Sequence, residues 1–386
     1  MTSIRRYRSG TFACRWMAGA RLGIAVAVLL AAAVAVLAAP GRSPAAAPDP
    51  RGLDPAAPNP LTGLRFFVDH WEPSWQQWRS YRRRGRRRRA KLMWRVAREP
   101  KFKWYGRFSR PVGAIVGRVL IQAAASGEVP LMAVMRHQGK GCGRSYQGGG
   151  PAEDAATRAW YREFAAAVGT ARVVIAFEPD SLGTVDCLSP DRQQARLEIL
   201  RYGVAVLSRL PNATIYLDAG ASDWEPARRT AGQLLQIGID LVRGFMLNVT
   251  HYDWTARNIR HGRKISRLVG GKPFIISTAF NGRGPVHYGV RVAGKKRRIN
   301  VWCHPLKRGL GIPPTTRTKR ARVDAFMWIG RPGYSGGSCN GGPLPVGSWW
   351  PKRALMFARY RTKWRRPPRG SRFGLLRHFS LRALGA

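Results

Sequence analysis

Val173-Val174-Ile175-Ala176-Phe177 runs without a break into Glu178-Pro179-Asp180-Ser181. Five consecutive apolar residues, three of them β-branched, fit a strand that is covered on both faces. Such a strand belongs to a parallel sheet, and the acidic, proline-bearing segment after it then marks the strand's C-terminal end. Reading outward, comparable runs occur at 64–68, 129–135, 214–217, 244–247, 274–276 and 325–329, with helix-like stretches at 154–168, 190–209 and 349–360. Seven such units over roughly 300 residues predict an α/β chain built as a parallel barrel.

Reacting groups of such barrels sit just past the C-terminal ends of the strands. Those places hold Asp180, then Asp218-Ala219-Gly220, then Asn248-Val249-Thr250-His251-Tyr252, then Ser277-Thr278, with Trp302 and Trp328 further on. Carboxylates for proton transfer beside indole faces for stacking on pyranose rings describe a sugar cleft. Gly333-Tyr334-Ser335-Gly336-Gly337 has the spacing of a hydrolase nucleophile elbow, but no Asp or Glu follows Ser335, so a serine triad in that chain order is excluded. No phosphate loop, dinucleotide fingerprint or paired-histidine metal pattern is present, and neither cofactor nor metal is expected.

The 386 residues carry a formal charge of +47. That excess suits an anionic partner, or an arginine-rich composition throughout, since the basic residues are spread along the chain. Arg5, Arg6, Arg8, Arg15 and Arg21 precede an uncharged stretch at 22–39 and then small residues and prolines. Residues 1–39 therefore read as a signal peptide or a retained signal anchor, and 40–60 as a Pro/Ala-rich linker. The remainder is expected outside the cell, secreted or held there by the anchor, where nucleic acid is not an expected partner. Cys14 precedes the apolar stretch, leaving Cys142, Cys187, Cys303 and Cys339, an even number that fits an oxidising compartment and allows three pairings.

Seven segments in order, NPL (59–61), GCG (141–143), FEPDS (177–181), YLDAG (216–220), FMLNV (245–249), WCHP (302–305) and DAFMWI (324–329), resemble glycoside hydrolase family 6 over about residues 59–360. The resemblance implies a distorted, incomplete parallel α/β barrel for a catalytic domain at 61–363, followed by a basic tail at 364–386. It implies hydrolysis of β-1,4-glucosidic bonds in a cellulose-like polysaccharide with inversion, by a monomer. Asp180 takes the place of the family's proton donor, with Asp218 in support. Trp104, Trp224, Asn248, Tyr252, Trp302 and Trp328 match substrate-binding positions, and the disulfides correspond to Cys142–Cys187 and Cys303–Cys339.

The sequence also departs from the family pattern. An auxiliary Asp is replaced by Gly141 and the proposed base by Gly336, while a sugar-binding Lys and Glu become Gly330 and Tyr334. Inversion calls for an acid and usually a base roughly 6.5–9.5 Å apart. A substitute base would have to come from Asp223 or Asp253. Without the auxiliary carboxylate, and with arginines nearby, slow turnover and an acid-shifted optimum are expected. Two other readings fit: a carbohydrate-binding protein that has lost catalysis, and a protein acting on an anionic cell-surface glycan. The latter uses the basic runs at 82–89, 295–298 and 307–322, of which the first otherwise reads as a solvated insertion.

Overall fold

The computed structural model describes residues 49–137, 150–292 and 295–362, apart from the side chains of 290–299. The export segment, Gly141, Cys142 and the basic tail fall outside the described residues. In chain order the elements are α1 (Pro73–Arg83), α2 (Arg87–Ala97), β1 (Lys103–Gly106), α3 (Val112–Ala125), β2 (Leu131–Met135), α4 (Pro151–Val168) and β3 (Val173–Phe177). Then come α5 (Pro190–Leu207), β4 (Ala213–Asp218), α6 (Ala227–Gln236), β5 (Gly244–Leu247), α7 (Thr255–Leu268) and β6 (Phe274–Ser277). The chain continues through β7 (His287–Val292), β8 (Lys295–Asn300), β9 (Val323–Met327) and α8 (Pro351–Arg359).

Seven strands form one parallel sheet in the order β1-β2-β3-β4-β5-β6-β9. Its edges approach one another without a ladder: the Phe102 amide donates to Trp328 O at 3.1 Å and the Trp104 indole to Ile329 O at 2.8 Å. The sheet is thus a curled, incomplete barrel, as expected. The alternation in β3 explains why its sequence is apolar throughout. Val173, Ile175 and Phe177 meet the helical layer, including Tyr161, Phe164 and Leu200, while Val174 and Ala176 fill the barrel with Tyr216, Met246 and Ile275. Pro151 opens α4 with Glu153 and Asp154 in its first turn, where their charge favours the helix dipole, and Gly169 at φ 56° ends it.

Three expectations need correction. The run at 64–68 is not a sheet strand, because its backbone makes one isolated parallel bridge, Phe66 to Val129, and the edge place belongs to β1. The arginine run is not an unstructured insertion. It forms the facing ends of α1 and α2, where Gly85 at φ 64° reverses the chain and Tyr81, Ala90, Met93 and Val96 bury a face against Trp328 and Phe357. Finally, the described part of the supposed linker, 49–60, packs beneath the barrel. Pro50 O accepts from Thr214, Gly52 O and Asp54 O from Arg243, and Leu53 O from Lys272.

At that N-terminal end of the barrel, Arg243 and Asp324 form a buried pair. The guanidinium Nε lies 2.9 Å from Asp324 Oδ2 and Nη2 3.0 Å from Oδ1, and Tyr216 donates to the same carboxylate at 2.7 Å. Asp324 is therefore far from the rim where chemistry is expected, as its position at a strand start implied.

Cys303 and Cys339 are joined, with Cα atoms 6.2 Å apart. Cys187 is not free, but its expected partner Cys142 is outside the described residues. Replacing Cys303 and Cys339 by serine is expected to lower stability by on the order of 3–4 kcal/mol in the chain-entropy model, read by denaturant unfolding. An unchanged midpoint would show that the crosslink constrains little.

Candidate active site at the barrel rim

The segment after β3 holds two non-glycine residues in left-handed conformation, Glu178 at φ 52° and Asp180 at φ 68°. Each costs on the order of 1–3 kcal/mol, so the surroundings must hold them. Glu178 supplies the anchor. Fully buried, it accepts the Arg136 amide at 2.8 Å, the His137 amide at 3.1 Å and the Tyr161 hydroxyl at 2.6 Å, and its Oε2 also contacts His137 Nδ1. Burial pushes its carboxyl up, but His137 and these donors outweigh that and hold it below the ordinary value.

Asp180, half-buried, is thereby turned onto the rim. Thr250, after β5, donates to its Oδ1 at 2.6 Å. Burial raises its pKa, opposed by the Thr250 bond and the nearby His251 and His137. Asp218, only 2% exposed, lies behind it and accepts the amides of Leu182 and Gly220, each at 3.3 Å. Burial, and then the charge of Asp180, push Asp218 up to about 8. Burial and a neighbouring carboxylate together keep a proton on Asp218 above the usual carboxylate range. Asp218, the residue expected in support, is thus electrostatically coupled to Asp180. Among the described residues, the cations that oppose the rise at Asp180 are His251 and His137 rather than an arginine.

His251, placed at the rim by the sequence but without a role, links this pair to Asp223. Its Nδ1 lies 2.8 Å from Asp223 Oδ1, and its ring stacks on Trp224 with centroids 4.7 Å apart. Burial lowers the His251 pKa, but Asp223 and the two rim carboxylates outweigh it and raise it overall. Asn300 donates to the other Asp223 oxygen. Burial raises Asp223, yet His251 outweighs this, so Asp223 is held below its usual value and is ionised at neutral pH. Asp253 differs. It is 1% exposed, with Ser222 donating at 2.5 Å and Arg257 at 3.3 Å, and it organises the loop rather than facing a substrate.

The expected binding residues divide in the same way. Trp302 is 60% exposed and offers an indole face. Trp328 is 1% exposed, with its indole N–H on Ile312 O at 3.0 Å, and belongs to the core beneath α1 and α2. Tyr252 is buried in that core with its hydroxyl accepting from Arg353, and Asn248 is buried with its amide donating to the Ser277 and Asp253 carbonyls. None of these three presents a face to a ligand, which corrects the sequence-based assignment. Trp224 has one face on His251, and Trp104 has Arg331 over its ring at 5.6 Å. Trp302→Ala is expected to weaken retention in a β-glucan affinity gel by roughly tenfold without moving the melting temperature, whereas Trp328→Ala would act through packing. Equal retention by Trp302→Ala and the parent would remove Trp302 from the binding surface.

Gly336 occupies the place of the missing base. Its amide donates to His304 Nε2 at 2.7 Å, which leaves Nδ1 to donate to Cys339 O at 2.9 Å. Nothing acidic stands in this turn.

A curled parallel barrel with a proton-holding carboxylate pair at its C-terminal rim and an exposed indole nearby has the build of a carbohydrate-active barrel protein. The glycosyl hydrolases family 6 model matches residues 62–360. Endoglucanase A of Cellulomonas fimi is 33% identical over 305 residues, covering 78% of this chain and 62% of that protein, so the chain spans less than two thirds of this relative. Endoglucanase 1 of Streptomyces halstedii is 28% identical, covering 74% and 86% respectively. The solved endoglucanase Cel6 from Mycobacterium tuberculosis, in complex with a methyl-cellobiosyl-thio-cellobioside, superposes with a TM-score of 0.70 at 35% identity, covering 78% of this chain and 99% of that one. The chain belongs to glycosyl hydrolases family 6.

Proposed function

We propose that this protein is a glycoside hydrolase that cleaves β-1,4-glucan with inversion, using Asp180 as proton donor. The observation that carries this is the Asp180–Asp218 pair, one carboxyl on the rim and one buried behind it, both with raised pKa values. Thr250 engages one Asp180 oxygen and leaves the other for the glycosidic oxygen. On protonation of that oxygen the bond to the anomeric carbon breaks, and water adds from the opposite face. The carboxylate to activate that water is the weak part of the site. Asp223 is ionised but has both oxygens engaged by His251 and Asn300, so turnover is slow. Trp302, Trp224 and Trp104 hold the glucan. The domain at 61–363 acts as a monomer outside the cell. Among the described residues no helix is long and apolar enough to cross a membrane. The basic surface adds an anionic glycan to the partners this protein accepts.

The second reading is a glucan-binding protein without catalysis, favoured by the turn at Gly336. The test is hydrolysis of soluble β-glucan, with the product anomer followed by NMR, for the parent and for Gly336→Asp. Gly336 is not in a left-handed conformation, and a Cβ there would meet only His304 Nε2, at 3.4 Å. Restored carboxylate should raise turnover on the order of tenfold or more, short of the 10²–10⁴-fold of a fully placed base, and yield the α-anomer. Binding without turnover in both proteins would leave the binding reading standing.

A further inference from the structure

The hairpin of α1 and α2 contains a groove that the active site does not use. Its volume is about 580 Å³, with Trp78 and Trp94 as its floor and Arg82, Arg87 and Lys91 at its rim. The two indoles contact each other, with centroids 4.6 Å apart, and Arg82 lies over the Trp78 ring at 5.4 Å. The tip carries seven arginines within residues 82–89, and all are exposed. None forms an ion pair with a carboxylate among the described residues. Like charges crowded into two helix ends repel one another, so an ordered hairpin that concentrates them without counter-charge is suited to an anion from outside.

We propose that this groove binds a carboxylate- or phosphate-bearing polysaccharide, with the indoles against sugar rings and the guanidinium forks on the acid groups. This rests on the reading that the basic surface recognises an anionic glycan, and it assigns that recognition to one site. Guanidinium groups pair with carboxylate and phosphate through two parallel hydrogen bonds, and indoles present flat apolar faces to pyranoses. The position also favours a glycan. At its other end α1 meets the loop after β9, where Tyr334, which the resemblance puts at a sugar-binding position, donates to Glu72 at 3.0 Å. Eleven helical residues separate the two ends, about 16 Å at 1.5 Å per residue, so one polysaccharide chain can span from cleft to groove. The half-buried, concave setting of the indoles is poorly shaped for insertion into a lipid surface.

The test compares the full chain with an Arg82→Gln/Arg87→Gln/Lys91→Gln variant in affinity gels containing carboxymethyl-β-1,4-glucan or neutral hydroxyethyl-β-1,4-glucan. All three positions are exposed, and circular dichroism checks the fold. The parent should be retained more strongly by the carboxymethylated polymer, and the preference should vanish at roughly 1 M salt, where screening acts within about 3 Å. The variant should lose about tenfold in affinity for the charged polymer, from three exposed charge contacts of modest strength each, with retention by the neutral one unchanged. A parent with no preference would overturn both this site and the anionic-glycan reading. A preference that survives in the variant would overturn the site alone and send the search to the other basic runs. Displacement of the charged glucan by single-stranded RNA at equal charge, with no displacement by free carboxymethyl-glucan, would overturn the choice of a glycan.

Discussion

Asp180→Asn is expected to lower turnover of soluble β-1,4-glucan by about 10²–10⁴-fold, the usual cost of losing a general acid. The change keeps the shape of the side chain and its bond to Thr250, so binding in affinity gels should persist. The pH profile carries a second signature. A general acid must be protonated, and burial raises the Asp180 pKa, so parental activity should persist above the range of an ordinary carboxylic acid and fall as pH rises through the raised value. That descending limb should be absent from the residual activity of Asp180→Asn. Turnover by Asp180→Asn equal to the parent would show that the proton comes from elsewhere.

Asp324→Ala is expected to destabilise the fold by about 3–5 kcal/mol, because it leaves a guanidinium buried without its counter-charge. Arg243 is 2% exposed and Asp324 5%, so water cannot readily replace the lost partner. Burial lowers the Arg243 pKa, yet the hydrogen bonds and charge of Asp324 outweigh this and raise it overall. The double change Arg243→Leu with Asp324→Ala should cost less than the sum of the two single changes, since neither charge is then stranded. Urea unfolding of the four proteins measures this. Strictly additive effects would mean that the pair is not energetically coupled.

Most of the sheet was legible because six of its strands are short apolar runs with no competing helical spacing. β1 was not, since Lys103-Trp104-Tyr105-Gly106 is short and begins with a charge, while the more apolar run at 64–68 drew the assignment away. The helical hairpin was hidden because its arginines masked the buried spacing of Tyr81, Ala90, Met93 and Val96. At the rim, the strand-end rule led to Asp180 and Asp218. It put Thr250 and His251 at the rim but could not give their contacts or the anchoring role of Glu178, because those contacts join strand ends that are neighbours in space and distant in sequence. Trp328 misled for a related reason: it follows a strand as a cleft residue should, but α1 and α2 cover it.

The segment 49–60 separates two ways of marking out a domain. The match to the family model begins at residue 62, whereas the packing of the barrel floor begins at least ten residues earlier, where carbonyls of Gly52, Leu53 and Asp54 receive the hidden cations Arg243 and Lys272. Trimming to the shared portion would strip these acceptors away, leaving Arg243 to Asp324 and Lys272 to the carbonyls of Asp240 and Val242. The stretch that matches the family is therefore shorter than the unit that packs, and grafting this barrel onto another protein should carry the preceding residues along as its base plate.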